Sequence, residues 1–262
     1  MKQNNLLYIC FNRLDLVQNT LPDLLALGWD NVVVACDGAR SDEEKKVVEL
    51  IRREIDKIAH DNAQQIEKVY RDYNYGCRRN IEHALEYFFH EYGQGWVFED
   101  DIKLDNLKDF LKLRDEWRAE GHLSLYNPLK VNQDNIFTTQ IGHYFIWGWY
   151  LNTENMQLSF RSELSSESFF KSIEYRGFWK GIRFFWLYLR TLINKIDTWD
   201  SLYTSWAMDN NVKLHVVPVS LIKNLGFDDR ATHTFHSPSE HPQSNVGVKN
   251  PKVWENKLKK WL

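Results

Sequence analysis

Asn-Val-Val-Val-Ala-Cys-Asp-Gly, the stretch at residues 31–38, is an apolar and mostly β-branched run that stops at an Asp-Gly pair. Short continuous runs of this kind are typical of strands covered on both faces, as in parallel sheets. Residues 6–11 have the same character, and a helical pattern of leucines follows them. After Gly38, Ser41 and Glu44 form a capping box that opens a second amphipathic helix. These runs therefore predict successive strand–helix units.

The first 120 residues continue this alternation, with further strands expected at 66–70 and in the stretch that ends at residue 101. Alternating strands and helices predict an α/β fold with a doubly wound, mostly parallel sheet flanked by helices. Ligands bind such sheets at the carboxyl ends of the strands. The polar segments that follow the predicted strands should therefore gather at one edge of the sheet: Asn12-Arg13, Asp37-Gly38, Tyr73 to Arg79, and Glu99 to Asp101.

Bulk composition excludes several classes of protein. A net charge of −3 argues against a general nucleic-acid binder. The three cysteines are odd in number and include no Cys-x-x-Cys pair, which argues against a disulfide framework or a zinc site. The first apolar run is too short for a signal peptide or a spanning helix, so we expect a cytoplasmic protein. Attachment to the inner face of the plasma membrane stays open.

Residues 95–101 read Gly-Trp-Val-Phe-Glu-Asp-Asp, so a short apolar strand ends in three acids. Adjacent carboxylates repel one another unless a positive charge lies among them. Mg²⁺ and Mn²⁺ prefer oxygen ligands and are often shared between one or two carboxylates and substrate phosphates. The strand's period of two places Glu99 and Asp101 on one side and Asp100 on the other. We therefore expect the chemistry of the protein at this strand end.

The second half of the chain is less regular. A helix through Leu107 and Trp117 should end at Gly121, and a strand is expected at 213–219. Residues 178–196 form an aromatic, basic segment that is suited to an anionic membrane surface, although a buried helix with solvated cations is the favoured interpretation. We expect one domain over 1–262, divided into a regular half (1–120), a less regular half (121–236) and a tail (237–262).

An ordered set of short segments resembles a bacterial family of GT-A-fold, nucleotide-sugar-dependent glycosyltransferases that is found in surface-polysaccharide gene clusters. A more distant resemblance is to the inverting N-acetylglucosaminyltransferases that act on N-glycans, which also use a Glu-Asp-Asp element. The segments are Tyr-Ile-Cys-Phe-Asn-Arg (8–13), Cys-Asp-Gly (36–38), Asn-Tyr-Gly-Cys-Arg-Arg-Asn-Ile (74–81), Phe-Glu-Asp-Asp (98–101), Ile-Trp-Gly-Trp (146–149), Asp-Thr-Trp-Asp (197–200), Asn-Leu-Gly-Phe (224–227) and Ala-Thr-His-Thr (231–234).

The resemblance implies a Rossmann-like GT-A fold and a metal site of the Asp-x-Asp type. It also implies that 1–120 is the nucleotide-binding half and 121–236 the acceptor and catalytic half. Asp101 is then the expected direct ligand of Mn²⁺ or Mg²⁺. Asp100 is expected to contact the ribose, or the metal through water, and Glu99 to face the donor sugar. His233 matches a further metal ligand of such enzymes, with His236 as the alternative. The other interpretation of the acids is a solvated strand-to-loop turn.

Nucleotide binding is implied for Asn12 and Arg13, which resemble the base-binding loop, and for Asp37, which suits a hydrogen bond to uracil or ribose. Asp37 is equally explained by a common Asp-Gly turn, and Arg13 by a surface charge. Arg79 follows Gly76 near a predicted helix start, where a diphosphate would be favoured. Trp149 is expected to shape the sugar or acceptor pocket, with core packing as the alternative.

Single displacement needs a carboxylate to take the proton of the acceptor hydroxyl. The Trp199-Asp200 pair resembles the position of this base in the inverting N-acetylglucosaminyltransferases, so Asp200 is the candidate catalytic base. Asp197 is the rival, and one of the two is alternatively a helix cap.

The expected activity is therefore inverting transfer from a uridine diphosphate sugar to a glycan or a lipid-linked acceptor, with peripheral membrane attachment left open. Two other functions stay open, a metal-dependent phosphoesterase or nucleotidyltransferase and a non-catalytic sugar-binding module. A nucleotidyltransferase would carry a glycine-rich loop after the first strand. This chain has Asn-Arg-Leu-Asp there, which argues against a nucleotidyltransferase.

Overall fold

The computed structural model describes residues 3–127, 135–139, 146–153, 156–160, 166–176, 178–193 and 195–226. The helices are α1 (Leu14–Leu25), α2 (Asp42–Asp61), α3 (Gly76–Tyr92), α4 (Leu107–Glu116), α5 (Ser166–Arg176), α6 (Phe178–Leu192) and α7 (Asp200–Asp209). The strands are β1 (Asn5–Cys10), β2 (Asn31–Cys36), β3 (Glu67–Tyr70), β4 (Gln94–Glu99), β5 (Ile102–Leu104), β6 (Gly121–Ser124), β7 (Phe137–Thr139), β8 (Trp149–Asn152), β9 (Leu214–Val216) and β10 (Ile222–Asn224).

Within these residues, eight strands form one sheet in the order β3-β2-β1-β4-β8-β6-β9-β7. The strands β3, β2, β1 and β4 are mutually parallel, β8 is antiparallel to both of its neighbours, and β9 runs parallel to β6. Six of the eight strands therefore point the same way, with β8 and β7 reversed. This arrangement confirms the predicted α/β fold with a mostly parallel sheet, and it is consistent with a Rossmann-like GT-A fold.

Helices cover both faces of the sheet because the strand order reverses after β3. The first two crossovers step from β1 to β2 to β3, and the third steps back from β3 to β4. Since parallel crossovers are right-handed, opposite steps place α3 on the other face from α1 and α2. The core lies between these layers and includes the fully buried Trp96, Phe98 and Phe110.

Local signals explain the first elements. Ser41 caps α2 by accepting a hydrogen bond from the Glu44 amide at 3.2 Å. The reciprocal half of the expected capping box is absent among the described contacts, because the Glu44 carboxylate accepts from Arg40 and Asn12 instead. Val48 and Ile51 face the core as the α2 periodicity predicts, whereas Val47 is 37% exposed.

The expected helix stop at Gly121 was wrong. The helix α4 ends at Glu116, and Gly121 opens strand β6 with φ +99. A side chain there would collide with the backbone of Lys213, so glycine allows β6 and the chain before β9 to approach closely.

A second, two-stranded sheet ties the chain together next to the acidic strand end. Strand β10 pairs antiparallel with β5, and Leu225 donates a backbone hydrogen bond to the Asp101 carbonyl at 2.7 Å. None of the helices described has both the length and the apolar character that crossing a bilayer requires.

Candidate active site

The carboxyl ends of β1, β2, β3 and β4 lie at one edge of the sheet because these strands are parallel and adjacent. Arg13 follows β1, Asp37 follows β2 and Glu99 ends β4, so the structure brings these predicted site residues to the same edge. Asp200 reaches this region from a distant part of the chain, as the first residue of α7.

Arg13 lies between two of the three acids. It is the residue before α1, and its guanidinium forms an ion pair with Asp100 and a second one with Asp101 at 3.1 Å. Asp100 is 2% exposed and also faces the Phe11 amide at 3.4 Å. Burial lowers the pKa of Arg13, but the charges of Asp100 and Asp101 outweigh it, so the pKa is raised and the side chain stays charged.

The acids remain short of positive charge in spite of Arg13. Burial, followed by the charges of Asp101 and Asp100, raises the pKa of Glu99 to about 8. Burial also raises the pKa of Asp100 to about 6, although Arg13 opposes this shift. One guanidinium facing three carboxylates leaves net negative charge, which adds to burial in favouring the protonated form of Glu99.

Asp200 belongs to the same electrostatic cluster, because its charge contributes to the raised pKa of Glu99. The Asp200 Oδ1 atom accepts hydrogen bonds from the Thr198 hydroxyl at 2.6 Å and from the Ser201 amide at 2.8 Å. No hydrogen bond to the Oδ2 atom is found among the described residues. The carboxylate is therefore held at one oxygen with the other available. In the following, the acidic cluster means Glu99, Asp100, Asp101 and Asp200.

Asp197, the rival for the base, is engaged elsewhere. Its two oxygens accept hydrogen bonds from the backbone amides of Cys77 at 3.0 Å and Arg78 at 2.9 Å. These amides belong to the first turn of α3, so Asp197 caps a helix from far away in the sequence. Gly76 has φ +82, and a Cβ atom at this position would lie 3.0 Å from the Asp197 carboxylate.

Asp37 organises the loop that leads into α3. It is 3% exposed, and each of its oxygens accepts two hydrogen bonds. Oδ1 accepts from the amides of Gly38 and Tyr75, and Oδ2 from the Asn74 side chain and the Gly76 amide, at 2.8–3.1 Å. The carboxylate thus holds the turn at 74–76 against the end of β2, and the predicted nucleotide contact remains a prediction.

Replacing Asp37 with asparagine should lower the free energy of unfolding by about 2 kcal/mol, because one of two acceptor oxygens is lost in a buried site with four donors. Urea unfolding would measure this. Asp72→Asn is the matched control, since Asp72 is exposed in the same loop and should change stability by less than about 0.5 kcal/mol. Unchanged stability of the Asp37 variant with weakened nucleotide binding would instead assign Asp37 to the ligand.

The two arginines at the start of α3 have different surroundings. Arg78 forms an ion pair with Glu82 at 2.9 Å and donates to the Thr191 carbonyl on α6. Arg79 is exposed, and in the described part of the chain its guanidinium makes no hydrogen bond or ion pair. Of the pair, Arg79 is the cation available to an anionic ligand. Asn12 is held by Glu44, which accepts from its side-chain amide at 2.6 Å.

Gly226 packs directly against Asp101, and sequence reasoning gave it no role. A Cβ atom at Gly226 would overlap the Asp101 carboxylate, so only glycine allows this contact. The motif Asn-Leu-Gly-Phe at 224–227 draws attention to this glycine. Nothing in the motif indicates that Gly226 contacts Asp101. His233 and His236 follow within a few residues and lie outside the described residues.

Trp149 lies in the core. It is 1% exposed and stacks on His122 at 5.0 Å between ring centroids and on Phe89 at 6.0 Å. Because β8 is a central strand with its side chains buried, core packing accounts for this indole. The expected part of Trp149 in shaping a sugar or acceptor pocket remains a prediction. Gly148, with φ +56, fits closely against Ile102 beneath the acidic strand end.

The acidic cluster fits a hard divalent cation in its chemistry. In the described ranges, no three His, Cys, Asp or Glu side chains are grouped as a metal cage. Mg²⁺ is often held by only one or two carboxylates, with water and substrate phosphates completing its shell. Asp100 and Asp101 supply two carboxylates of this kind. Burial is the main cause of the raised pKa of Glu99, and the charges of Asp101, Asp100 and Asp200 add to it, so a cation here would offset negative charge.

No protein-family model matches the chain, and a search of curated proteins finds no relative. Solved structures that resemble it include the following three. S. aureus TarS is 15% identical over 57% of this chain and 28% of its own, with a TM-score of 0.39. UDP-glucose pyrophosphorylase complexed with UDP-glucose is 9% identical over 83% and 90%, with a TM-score of 0.40. The bifunctional glycosyltransferase WbbM is 10% identical over 79% and 37%, with a TM-score of 0.37.

The chain thus spans less than a third of TarS and well under half of WbbM. At these identities and TM-scores the likenesses carry no argument about activity. The class of protein rests on the sheet, which makes the chain an α/β protein with a cluster of carboxylates at the carboxyl edge of its parallel strands.

Proposed function

We propose that the protein is a metal-dependent, inverting glycosyltransferase that moves a sugar from a uridine diphosphate sugar to a hydroxyl of a glycan or lipid-linked acceptor. The pathway would be the synthesis of a bacterial surface polysaccharide. One observation carries the proposal: Asp200, from the second half of the chain, lies near enough for its charge to act on Glu99, at the edge where Arg13 links Asp100 and Asp101. Such an edge is where open α/β sheets bind nucleotides.

Asp101 is proposed to hold Mn²⁺ or Mg²⁺ with His233 as a further ligand, and Asp100 is proposed to contact the ribose, or the metal through water. When bound, the cation would neutralise the charge that develops on the departing nucleotide diphosphate. Arg79 is proposed to contact the diphosphate as well, because its guanidinium is exposed and planar, which suits phosphate recognition. Arg13 keeps Asp100 and Asp101 at a fixed separation from the end of β1.

Asp200 is proposed to take the proton of the acceptor hydroxyl as that oxygen attacks the anomeric carbon. Its Oδ1 atom is held by Thr198 and Ser201, which fixes the carboxylate and directs the available Oδ2 atom. The proton passes from the acceptor hydroxyl to Asp200. The bond between the anomeric carbon and the diphosphate oxygen breaks, and its electron pair stays with the departing uridine diphosphate. Engagement of Asp197 at the start of α3 supports Asp200 over Asp197 as the base.

Binding of uridine diphosphate should raise the melting temperature only when Mn²⁺ or Mg²⁺ is present. A ligand at about one hundred times its Kd stabilises the folded state by about 2.7 kcal/mol, or roughly 5 °C or more for a chain of this size. Thermal shifts with uridine, guanosine, adenosine and cytidine diphosphates, each with metal and with chelator, would measure this. Equal shifts with all four, or none with any, would count against the proposed donor.

Product analysis separates transfer from the two other activities that use the same groups. Incubation with a uridine diphosphate sugar, metal and acceptor should release uridine diphosphate. Release of uridine monophosphate with a sugar phosphate would indicate a phosphoesterase. Formation of uridine triphosphate from the donor and pyrophosphate would indicate a nucleotidyltransferase. Metal-dependent binding with no product at all would favour a binding module.

A further inference from the structure

Helix α6 turns a row of large apolar side chains to solvent. Trp179 is 80% exposed, Trp186 is 61% exposed, and Ile193, directly after the last turn, is 56% exposed. Their spacing of seven residues places them along one line of the helix. The buried helix favoured by the sequence is therefore wrong for this side of α6. Exposed aromatic rows of this kind mark interaction surfaces.

Two arginines lie beside that row. Arg183 and Arg190 each follow a tryptophan by four residues, so each lies one turn further along the same side of the helix. Both are exposed, and neither forms an ion pair with any residue the structure describes. The sequence of α6 contains no Asp or Glu. We call Trp179, Arg183, Trp186, Arg190 and Ile193 the α6 outer face.

The opposite side of α6 is committed to the protein. Phe184 and Tyr188 are buried, and Gly181 approaches α5 so closely that a Cβ atom would lie 2.5 Å from the Ile173 Cα atom. Arg78 joins the α6 carbonyl at Thr191 to the start of α3. The helix is thus fixed by its inner side, so the outer face cannot turn inward to bury its aromatic rings.

We propose that the α6 outer face binds an anionic phospholipid bilayer, with the helix lying in the plane of the interface. Tryptophan is favoured at the membrane–water boundary, and arginines beside it pair with lipid phosphates. A second copy of the chain fits this face poorly, because a two-fold contact would bring the arginines of two acid-free helices together without partners.

Bilayer binding would also hold the acidic cluster near the membrane. The last turn of α6 contacts Arg78, and Asp197 a few residues later caps the same helix α3, whose first turn lies beside Glu99 and Asp200. A membrane position for the acidic cluster would favour a lipid-linked acceptor over a free glycan. This inference about the acceptor rests on the proposed function. The membrane contact itself does not depend on catalysis.

Flotation of the full chain with vesicles tests the proposal. The protein should bind vesicles of phosphatidylglycerol and phosphatidylcholine, bind phosphatidylcholine alone weakly, and dissociate as salt is raised. Each of Arg183→Gln and Arg190→Gln should weaken binding about fivefold, and the pair roughly thirtyfold. Trp179→Ser with Trp186→Ser should weaken it by about tenfold or more. Leu50→Ser with Arg53→Gln is the matched control on α2, where both residues are exposed, and should have no effect.

Three results would overturn the proposal. The first is wild-type protein that does not float with anionic vesicles, and the second is arginine and tryptophan variants that float as wild type does. The third is a dimer in solution that Trp186→Ser converts to a monomer, which would make the outer face a contact between copies. Circular dichroism of each variant confirms folding. Metal-dependent binding of uridine diphosphate should be the same in these variants as in the wild type. If the wild type itself does not bind uridine diphosphate, the proposed function fails while the membrane contact can still stand.

Discussion

Asp101→Ala is expected to lower sugar transfer by roughly two to three orders of magnitude at saturating metal. The Asp101 carboxylate is partly exposed at the acidic cluster, paired with Arg13 at 3.1 Å, and is the residue proposed to hold the cation. Its removal takes away a negative charge that the cation needs and leaves Arg13 with Asp100. Stabilisation by uridine diphosphate should then need far more Mn²⁺, which a thermal-shift titration of metal would show directly.

The matched control is Asp105→Ala, which removes a nearby acid that pairs with Lys223 instead of with Arg13. Surface ion pairs of this kind contribute little, so activity and metal response should stay close to those of the wild type. Undiminished transfer in the Asp101 variant, with the same metal requirement, would remove the proposed role of Asp101. A variant that unfolds at room temperature would be uninformative, so the melting temperature is measured first and Asp101→Asn replaces it if necessary.

Asp200→Asn should reduce kcat by about a hundredfold to ten-thousandfold while leaving donor binding nearly unchanged. The amide oxygen can still accept from Thr198 and Ser201, so the start of α7 should keep its geometry. An amide at this position cannot take up the proton of the acceptor hydroxyl. Steady-state kinetics together with the thermal shift produced by uridine diphosphate would separate the two effects.

Asp197→Asn provides the comparison for Asp200. Because both oxygens of Asp197 accept backbone amides of α3, the main effect should be lower stability, with kcat within a few-fold of the wild type. The opposite pattern, a stable Asp197 variant without turnover and an active Asp200 variant, would exchange the roles of these two residues.

The strands of the first half of the chain were predictable from sequence because each is a continuous apolar run that ends at polar residues. The observed β1 and β2 lie within one residue of the expected 6–11 and 31–36. The strands β6 and β8 were missed, since each has four residues and no alternation to distinguish it. A glycine at position 121 is compatible with a helix end and with a strand start. Its close approach to the backbone of Lys213, which the sequence does not reveal, distinguishes the two.

The candidate site was predictable where its residues follow strands and unpredictable where they meet across the fold. The acids at the end of β4 stand out because they follow a buried apolar run. Asp197 caps α3, and Gly226 contacts Asp101, across segments that are far apart in the sequence. No local pattern in either segment indicates its partner, so neither contact could be predicted. Trp149 shows the remaining ambiguity, because a tryptophan suits a sugar pocket and a core equally well.

The position of β8 has a consequence for the chain as it leaves the ribosome. Strand β4 pairs with β1 on one side, but its other edge is covered by β8, at residues 149–152. Until that segment has emerged, the nascent sheet carries an open edge along Gln94 to Val97, where Trp96 and Val97 are buried in the finished protein. Open apolar edges recruit other chains. We therefore expect a chain stalled between β4 and β8 to aggregate more readily than one in which β8 has emerged.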